Sequence, residues 1–233
     1  YGLPIMSNNT ISALGQKEAE IVARLSYEKK EIVTADELDI FLPSGFRYRK
    51  QLVYSLKRKK ILIPIKRGIY IYVPLDSVPA GRRVSELLIP PIFFPKGNYY
   101  VGYSTMYNYY SLTEQLFQTV YVLNTTLRQE RIICGVSFKF LRIPLNRMYG
   151  LEKIKIRDTE IIVSSRERTL IDLLYFNKPV GGVKPAMDIL KRVVQEQQCD
   201  IKKLVQYAAQ FFNVTTRKRI GVVLEDAGVS DTV

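Results

Sequence analysis

Nine cationic side chains lie between Ser44 and Arg67, namely Arg47, Arg49, Lys50, Lys57, Arg58, Lys59, Lys60, Lys66 and Arg67, and the stretch contains no acid. Guanidinium and ammonium groups at this density suit a polyanion, because each neutralised phosphate releases condensed counterions. Two residue types in the run can also read base edges: Arg grips guanine with two hydrogen bonds, and Gln51 can do the same to adenine. The plainer interpretation is a solvated basic face, so the elements that carry these residues must decide.

Helical phase sorts the run. At about 100° per residue, Gly45, Leu52, Val53 and Leu56 share a face suited to packing. Arg47, Lys50, Gln51, Tyr54 and Arg58 group on the opposite side, and Arg49 falls near the apolar flank. A helix with this pattern, lying in a major groove, would offer Arg47, Lys50 and Gln51 to base edges. Lys57–Lys60 and the turn residues Lys66 and Arg67 would meet phosphates. The expected DNA-contacting set is therefore Arg47, Arg49, Lys50, Gln51, Tyr54, Lys57, Arg58, Lys66 and Arg67.

The flanking sequence supplies a frame for that helix. Gln16–Glu28 carries Ala19, Ile21, Val22 and Leu25 at helical spacing. Thr34, with Glu37 three residues on, forms a capping box for a helix over 35–41. Pro43 ends that element, and Ser44 can cap the next, which runs to about Lys60. Ile61–Ile65 and Ile69–Val73 flank a Lys66-Arg67-Gly68 turn and predict a hairpin. Three helices and a hairpin are the order of a winged helix-turn-helix, expected over residues 10–75.

Composition removes much other chemistry. The chain of 233 residues contains no His, so His-dependent nucleophile systems, His general bases and His-ligated zinc are excluded. Neither GxxxxGK[ST] nor GxGxxG occurs. Only two cysteines are present, Cys134 and Cys199, in unrelated contexts, so no metal centre and no cofactor is expected. With 47% hydrophobic residues the chain can form a core, and its longest apolar runs are too short for a bilayer. The opening residues show no export signal, and a cytoplasmic location with no membrane partner is expected. The net charge of +13 again favours a polyanionic partner.

Residues 76–98, rich in proline, read as a linker, and residues 99–233 as a larger second domain. Strands are expected at Tyr99–Tyr103, Thr119–Leu123, Ile132–Cys134, Ser137–Ile143 and Glu160–Val163. Helices are expected at Ser104–Tyr110, Arg166–Leu174, Lys184–Gln197, Ile201–Phe211 and Thr216–Ala227. Strands followed by a run of helices predict an α+β class.

Several segments of this second half form an ordered set. Tyr99-Tyr100-Val101-Gly102 leads on to Tyr109-Tyr110-Ser111-Leu112-Thr113-Glu114-Gln115. Further on come Val163-Ser164-Ser165-Arg166-Glu167-Arg168-Thr169-Leu170-Ile171-Asp172-Leu173-Leu174, then Pro179–Val183, then Arg217–Gly221 with Leu224 and Glu225. In this order they resemble the motifs of the AbiEi-type antitoxins, over roughly residues 10–228. The resemblance implies a bacterial type IV toxin–antitoxin (abortive infection) system of phage defence. In it, the N-terminal winged helix binds inverted repeats in double-stranded DNA of its own promoter and represses transcription. The C-terminal domain counteracts a nucleotidyltransferase-like toxin without a stable complex. One departure is visible: many members carry His-Gly where this chain has Tyr110-Ser111.

The same motifs have a structural interpretation of their own. Ser164 and Glu167 fit a capping box, and Leu170, Leu173 and Leu174 give an apolar helix face. Arg168 and Asp172, at i and i+4, predict a surface ion pair of about 0.3–0.5 kcal/mol. Gly181-Gly182 predicts a tight start to the following helix rather than a phosphate cradle.

Two other functions compete. Glu152, Lys153, Lys155, Asp158 and Glu160 could serve a metal-dependent nuclease or phosphoryl-transfer enzyme. Their spacing predicts no strand–turn–strand arrangement that gathers them, and they fit a strand's wet face equally well. A winged helix can also regulate transcription with no toxin, or bind only protein, since fold does not fix function. A non-enzymatic regulator is the expectation.

Overall fold

The computed structural model describes residues 14–41, 46–73, 85–156 and 159–229, and for residues 46–48 the backbone alone. These fall into two compact units, within Tyr1–Val84 and Ser85–Val233. Both mix helix and strand, as α+β predicts. Among the described residues no helix is long and apolar enough to cross a membrane.

The first unit opens with α1, Gln16–Tyr27, which buries Ile21, Val22 and Leu25; Ala19, expected beside them, is exposed. A three-residue strand that the sequence did not predict follows: β1, Ile32–Thr34. Thr34 then starts α2, Ala35–Phe41, through a reciprocal pair of bonds. The Glu37 N–H donates to Thr34 Oγ1 at 3.2 Å, and the Thr34 N–H donates to Glu37 Oε2 at 2.8 Å. Helix α3 spans Phe46–Arg58; Pro43, expected to end the preceding helix, and Ser44 and Gly45, expected at the start of this one, lie outside the described residues.

Strands β2, Leu62–Lys66, and β3, Ile69–Tyr72, form the expected hairpin. Gly68 takes φ +74°, a left-handed conformation that glycine adopts without steric cost. The ladder slips between Pro64 and Lys66, where proline lacks an N–H to donate. Strand β1 pairs antiparallel with β3, so the sheet order is β1-β3-β2. Leu25, Val33, Leu38, Leu56, Leu62 and Tyr72 fill the core beneath it.

The second unit begins earlier than expected. Residues 85–98, expected within the linker, pack into it because Leu88, Ile89 and Phe94 are buried and Phe94 stacks on Tyr99 at 5.6 Å. They include the one-turn helix α4, Pro90–Phe93. Next come β4 (Tyr99–Gly102), α5 (Ser104–Tyr109), β5 (Thr119–Asn124), β6 (Gln129–Ile133), β7 (Val136–Arg142), β8 (Leu151–Ile156) and β9 (Thr159–Ser164). These strands form one mixed sheet of order β6-β7-β5-β4-β9-β8, with β5/β7 and β4/β9 parallel. Helices α6 (Arg166–Tyr175), α7 (Val183–Gln195), α8 (Ile201–Gln210) and α9 (Val214–Asp226) share a separate apolar cluster built on Leu170, Leu174, Leu190, Leu204 and Ile220.

Candidate nucleic-acid interface

Helix α3 carries the expected polarity. Leu52 and Leu56 are buried, whereas Lys50, Gln51, Tyr54, Lys57 and Arg58 are exposed. On a wheel of about 100° per residue, Tyr54 lies near the middle of the exposed arc, opposite the buried pair. It is 67% exposed, a large cost for an aromatic ring that covers no core.

The hairpin turn stands beside that face. Arg49, Lys50, Val53, Tyr54 and Lys57 of α3 line a groove of about 470 Å³ together with Ala35, Arg67, Gly68 and Tyr70. One backbone bond fixes its far wall: the Ala35 N–H donates to the Gly68 carbonyl at 2.7 Å, tying the turn to the start of α2. Tyr70, on β3, is a lining residue that sequence reasoning missed. Its signal was the alternation Ile69-Tyr70-Ile71, which sends Tyr70 to the face opposite its neighbours.

The charges are segregated. In residues 14–73 every acid lies between Glu18 and Asp39, on or beside α1 and α2. Those acids neutralise part of the cationic run. Arg49 pairs with Asp39 of α2, and its side chain is only 16% exposed. That pairing explains its phase near the apolar flank and moves it from the open face to the junction of α2 and α3. Lys59 pairs with Glu18 of α1, so it is also withdrawn from any phosphate-contacting set. Burial works to raise Glu18, but bonds from Lys59, Ser55 and the Gly15 N–H hold its carboxyl below the usual range. Lys57, Arg58, Lys66 and Arg67 are exposed and make no ion pair with any described residue. The Arg47 side chain lies outside the described residues. Gln51 faces a second cleft, beside Gly15, Gln16, Lys17 and Glu18 at the start of α1, rather than the hairpin groove.

In the second unit the expected surface pair is a buried hub. Arg168 and Asp172 have side chains 3% and 1% exposed, with Nε and Oδ1 3.2 Å apart. Arg168 also donates to the carbonyls of Arg147 (3.0 Å) and Tyr149 (3.1 Å) and to Tyr100 Oη (3.0 Å). Burial pushes the Asp172 carboxyl above its usual range, against the pull of Arg168. Its Oδ2 has no hydrogen-bond partner among the described residues. The helix flanks are buried too, which a surface helix would not show: Thr169, Leu170, Ile171, Leu173 and Leu174 are all covered.

Other motif residues make local structural contacts. The expected capping box on Ser164 shifts by one: Ser165 caps α6 by accepting from the Arg168 N–H, while Ser164 Oγ meets Thr169 Oγ1 at 2.8 Å. Glu167 instead accepts from the Asp200 N–H just ahead of α8. Gly181 and Gly182, with φ +92° and +115°, start α7 as expected. Tyr110 donates to Glu152 and to the Ser164 carbonyl.

The nuclease candidates are gathered into a hairpin after all, because β8 and β9 pair antiparallel with Lys155 opposite Glu160. Strand alternation nevertheless splits them. Lys153 and Glu160 bridge at 2.8 Å on one face, and Glu152 points to the other, toward Tyr110. Asp158 lies outside the described residues.

No protein-family model matches this sequence, and no curated protein is detectably similar to it. Among solved structures, the crystal structure of the RV2827C protein from Mycobacterium tuberculosis is similar in fold, with a TM-score of 0.65 at 13% identity. The likeness covers 93% of this chain and 78% of that one, so it extends over both units.

Proposed function

We propose that this chain is a DNA-binding autorepressor and antitoxin, with no catalytic role of its own. The first unit has the element order of a winged helix: α3 is the recognition helix and the β2–β3 hairpin is the wing. In this reading α3 lies in the major groove of an operator made of inverted repeats in its own promoter. Lys50 approaches base edges, and Lys57, Arg58, Lys66 and Arg67 meet phosphates. The carrying observation is that exposed, acid-free side chains from α3 and the hairpin turn converge on one groove.

The antitoxin half of the proposal rests on the ordered motifs of the second unit, with a nucleotidyltransferase-like toxin as the antagonised partner in the cytoplasm. Those motifs build the buried frame around Arg168, so they would preserve the shape of the unit rather than touch the toxin.

A gel shift on the upstream promoter fragment, repeated from low to high salt, tests the DNA reading. Sequence-specific retardation that weakens steeply with salt is expected, and binding indifferent to ionic strength overturns it. Co-expression with the neighbouring toxin reading frame tests the other half. Restored growth is expected, and unrelieved toxicity overturns it.

A further inference from the structure

At the opposite end of α6 from the Ser165 cap, the second unit exposes aromatic rings. Tyr175, the last residue of α6, and Phe212, between α8 and α9, are 39% and 41% exposed, with centroids 5.1 Å apart and planes at 74°. The Arg147 guanidinium lies 3.6 Å from the Phe212 ring centroid. At that distance the half-buried guanidinium packs against the Phe212 ring.

The patch is held rigidly. The Arg147 carbonyl accepts from Arg168, and Phe211, next to Phe212, packs on Tyr175 at 5.5 Å. Arg219 donates to the Leu174 carbonyl at 3.3 Å, and Arg217 donates to the Ala209 carbonyl at 3.4 Å, which holds both cations beside the rings. Lys178, three residues after Tyr175, is exposed.

All three chain segments that meet here lack acids. None occurs between Glu130 and Glu152, between Asp172 and Asp188, or between Asp200 and Glu225, although these stretches hold eleven Lys and Arg. Lys178, Arg217 and Arg219 make no ion pair with any described residue, and aromatic and arginine planes beside such cations are complementary to unpaired bases on a phosphate backbone. Bases of any sequence stack on such planes, and the cations follow the strand.

We propose that this surface binds single-stranded nucleic acid. Bases stack on Tyr175 and on the Phe212–Arg147 pair, and phosphates lie against Lys178, Arg217 and Arg219. The site belongs to the second unit, whereas α3 belongs to the first, and the proposal does not depend on the promoter reading.

Fluorescence anisotropy of the full chain with labelled dT12 and U12 tests it, using Phe212→Leu, Tyr175→Phe and Arg147→Ala as variants and circular dichroism to check folding. Saturable binding by the unmodified chain is expected. Phe212→Leu keeps apolar bulk but removes the ring, and should weaken binding about 5- to 100-fold. Tyr175→Phe should bind like the parent. Absence of oligonucleotide binding, or unchanged affinity in Phe212→Leu, overturns the proposal. Promoter gel shifts on Phe212→Leu separate the two readings, because duplex retardation should be untouched by it. Loss of duplex and single-strand binding together would overturn the independence of the two activities.

Discussion

Arg168 and Asp172 stand one helical turn apart on α6, 3.2 Å from Nε to Oδ1, where solvent reaches almost none of either side chain. An exposed pair at this spacing adds little to stability, but removing one partner of a buried pair leaves the other without compensation. Arg168 also satisfies two carbonyls of the segment between β7 and β8, and so joins α6 to the loop that carries Arg147 and Tyr149. Arg168→Met should therefore lower the stability of the second unit by about 3–5 kcal/mol, measured by urea denaturation followed by circular dichroism. A loss under about 1 kcal/mol would show that the hub contributes no more than the surface pair the sequence suggests.

Burial tends to raise the Glu37 carboxyl, but bonds from Lys30 and from the backbone and hydroxyl of Thr34 hold it below its ordinary value. A group with a depressed folded pKa contributes stability above its unfolded pKa and loses it as pH falls toward the folded value. The first unit should accordingly lose stability below the ordinary glutamate range. Glu37→Gln should cost about 0.5–2 kcal/mol at neutral pH and flatten that acid slope. Melting temperatures from pH 7 down to pH 3 check it, and an equally steep slope in the variant would assign the acid loss elsewhere.

The interface separates cations by their partners. Arg67 lies exposed on the hairpin turn, whereas Arg49 is held by Asp39. Arg67→Ala should weaken promoter binding evenly across sequences and reduce the slope of log affinity against log salt by about one. Arg49→Ala should leave that slope close to the parent's and lower thermal stability instead, because it unties α3 from α2. Equal slope changes in the two variants would return Arg49 to the DNA-contacting set.

How far the sequence reveals this arrangement depends on how local each signal is. Helix α2 is legible to the residue because Thr34 and Glu37 carry their own cap, and the hairpin is legible because β-branched runs bracket Gly68. Strand β1 is not, since three residues show no period and its partner β3 lies more than thirty positions away. The phase of α3 already places Arg49 near the apolar flank, but Asp39 sits on another helix, so its pairing could not be read from one helical wheel. Spacing reveals the Arg168–Asp172 pair and conceals its burial, which follows from the helices and loops packed on every side of α6. The near-continuous apolar run Leu170-Ile171 and Leu173-Leu174 was the available hint, because a helix apolar all round is a buried one.

Gly150 tests how tightly that hub is packed. It has φ +64°, and a Cβ built there would sit 3.0 Å from Arg168 Cβ and 3.1 Å from the Tyr207 ring. Its carbonyl also accepts from the Ser165 N–H at 2.9 Å, so the backbone cannot relax without disturbing the α6 cap. Gly135, in the β6–β7 turn, has φ +78° with nothing within 4 Å of its added Cβ. Alanine at either position bears the left-handed penalty of about 1–2 kcal/mol, and only Gly150→Ala adds overpacking of about 1–3 kcal/mol. Urea midpoints of the two variants give the packing contribution by difference, expected to be at least about 1 kcal/mol. Equal losses would mean that Arg168 and Tyr207 yield freely, and that the hub is looser than its hydrogen bonds imply.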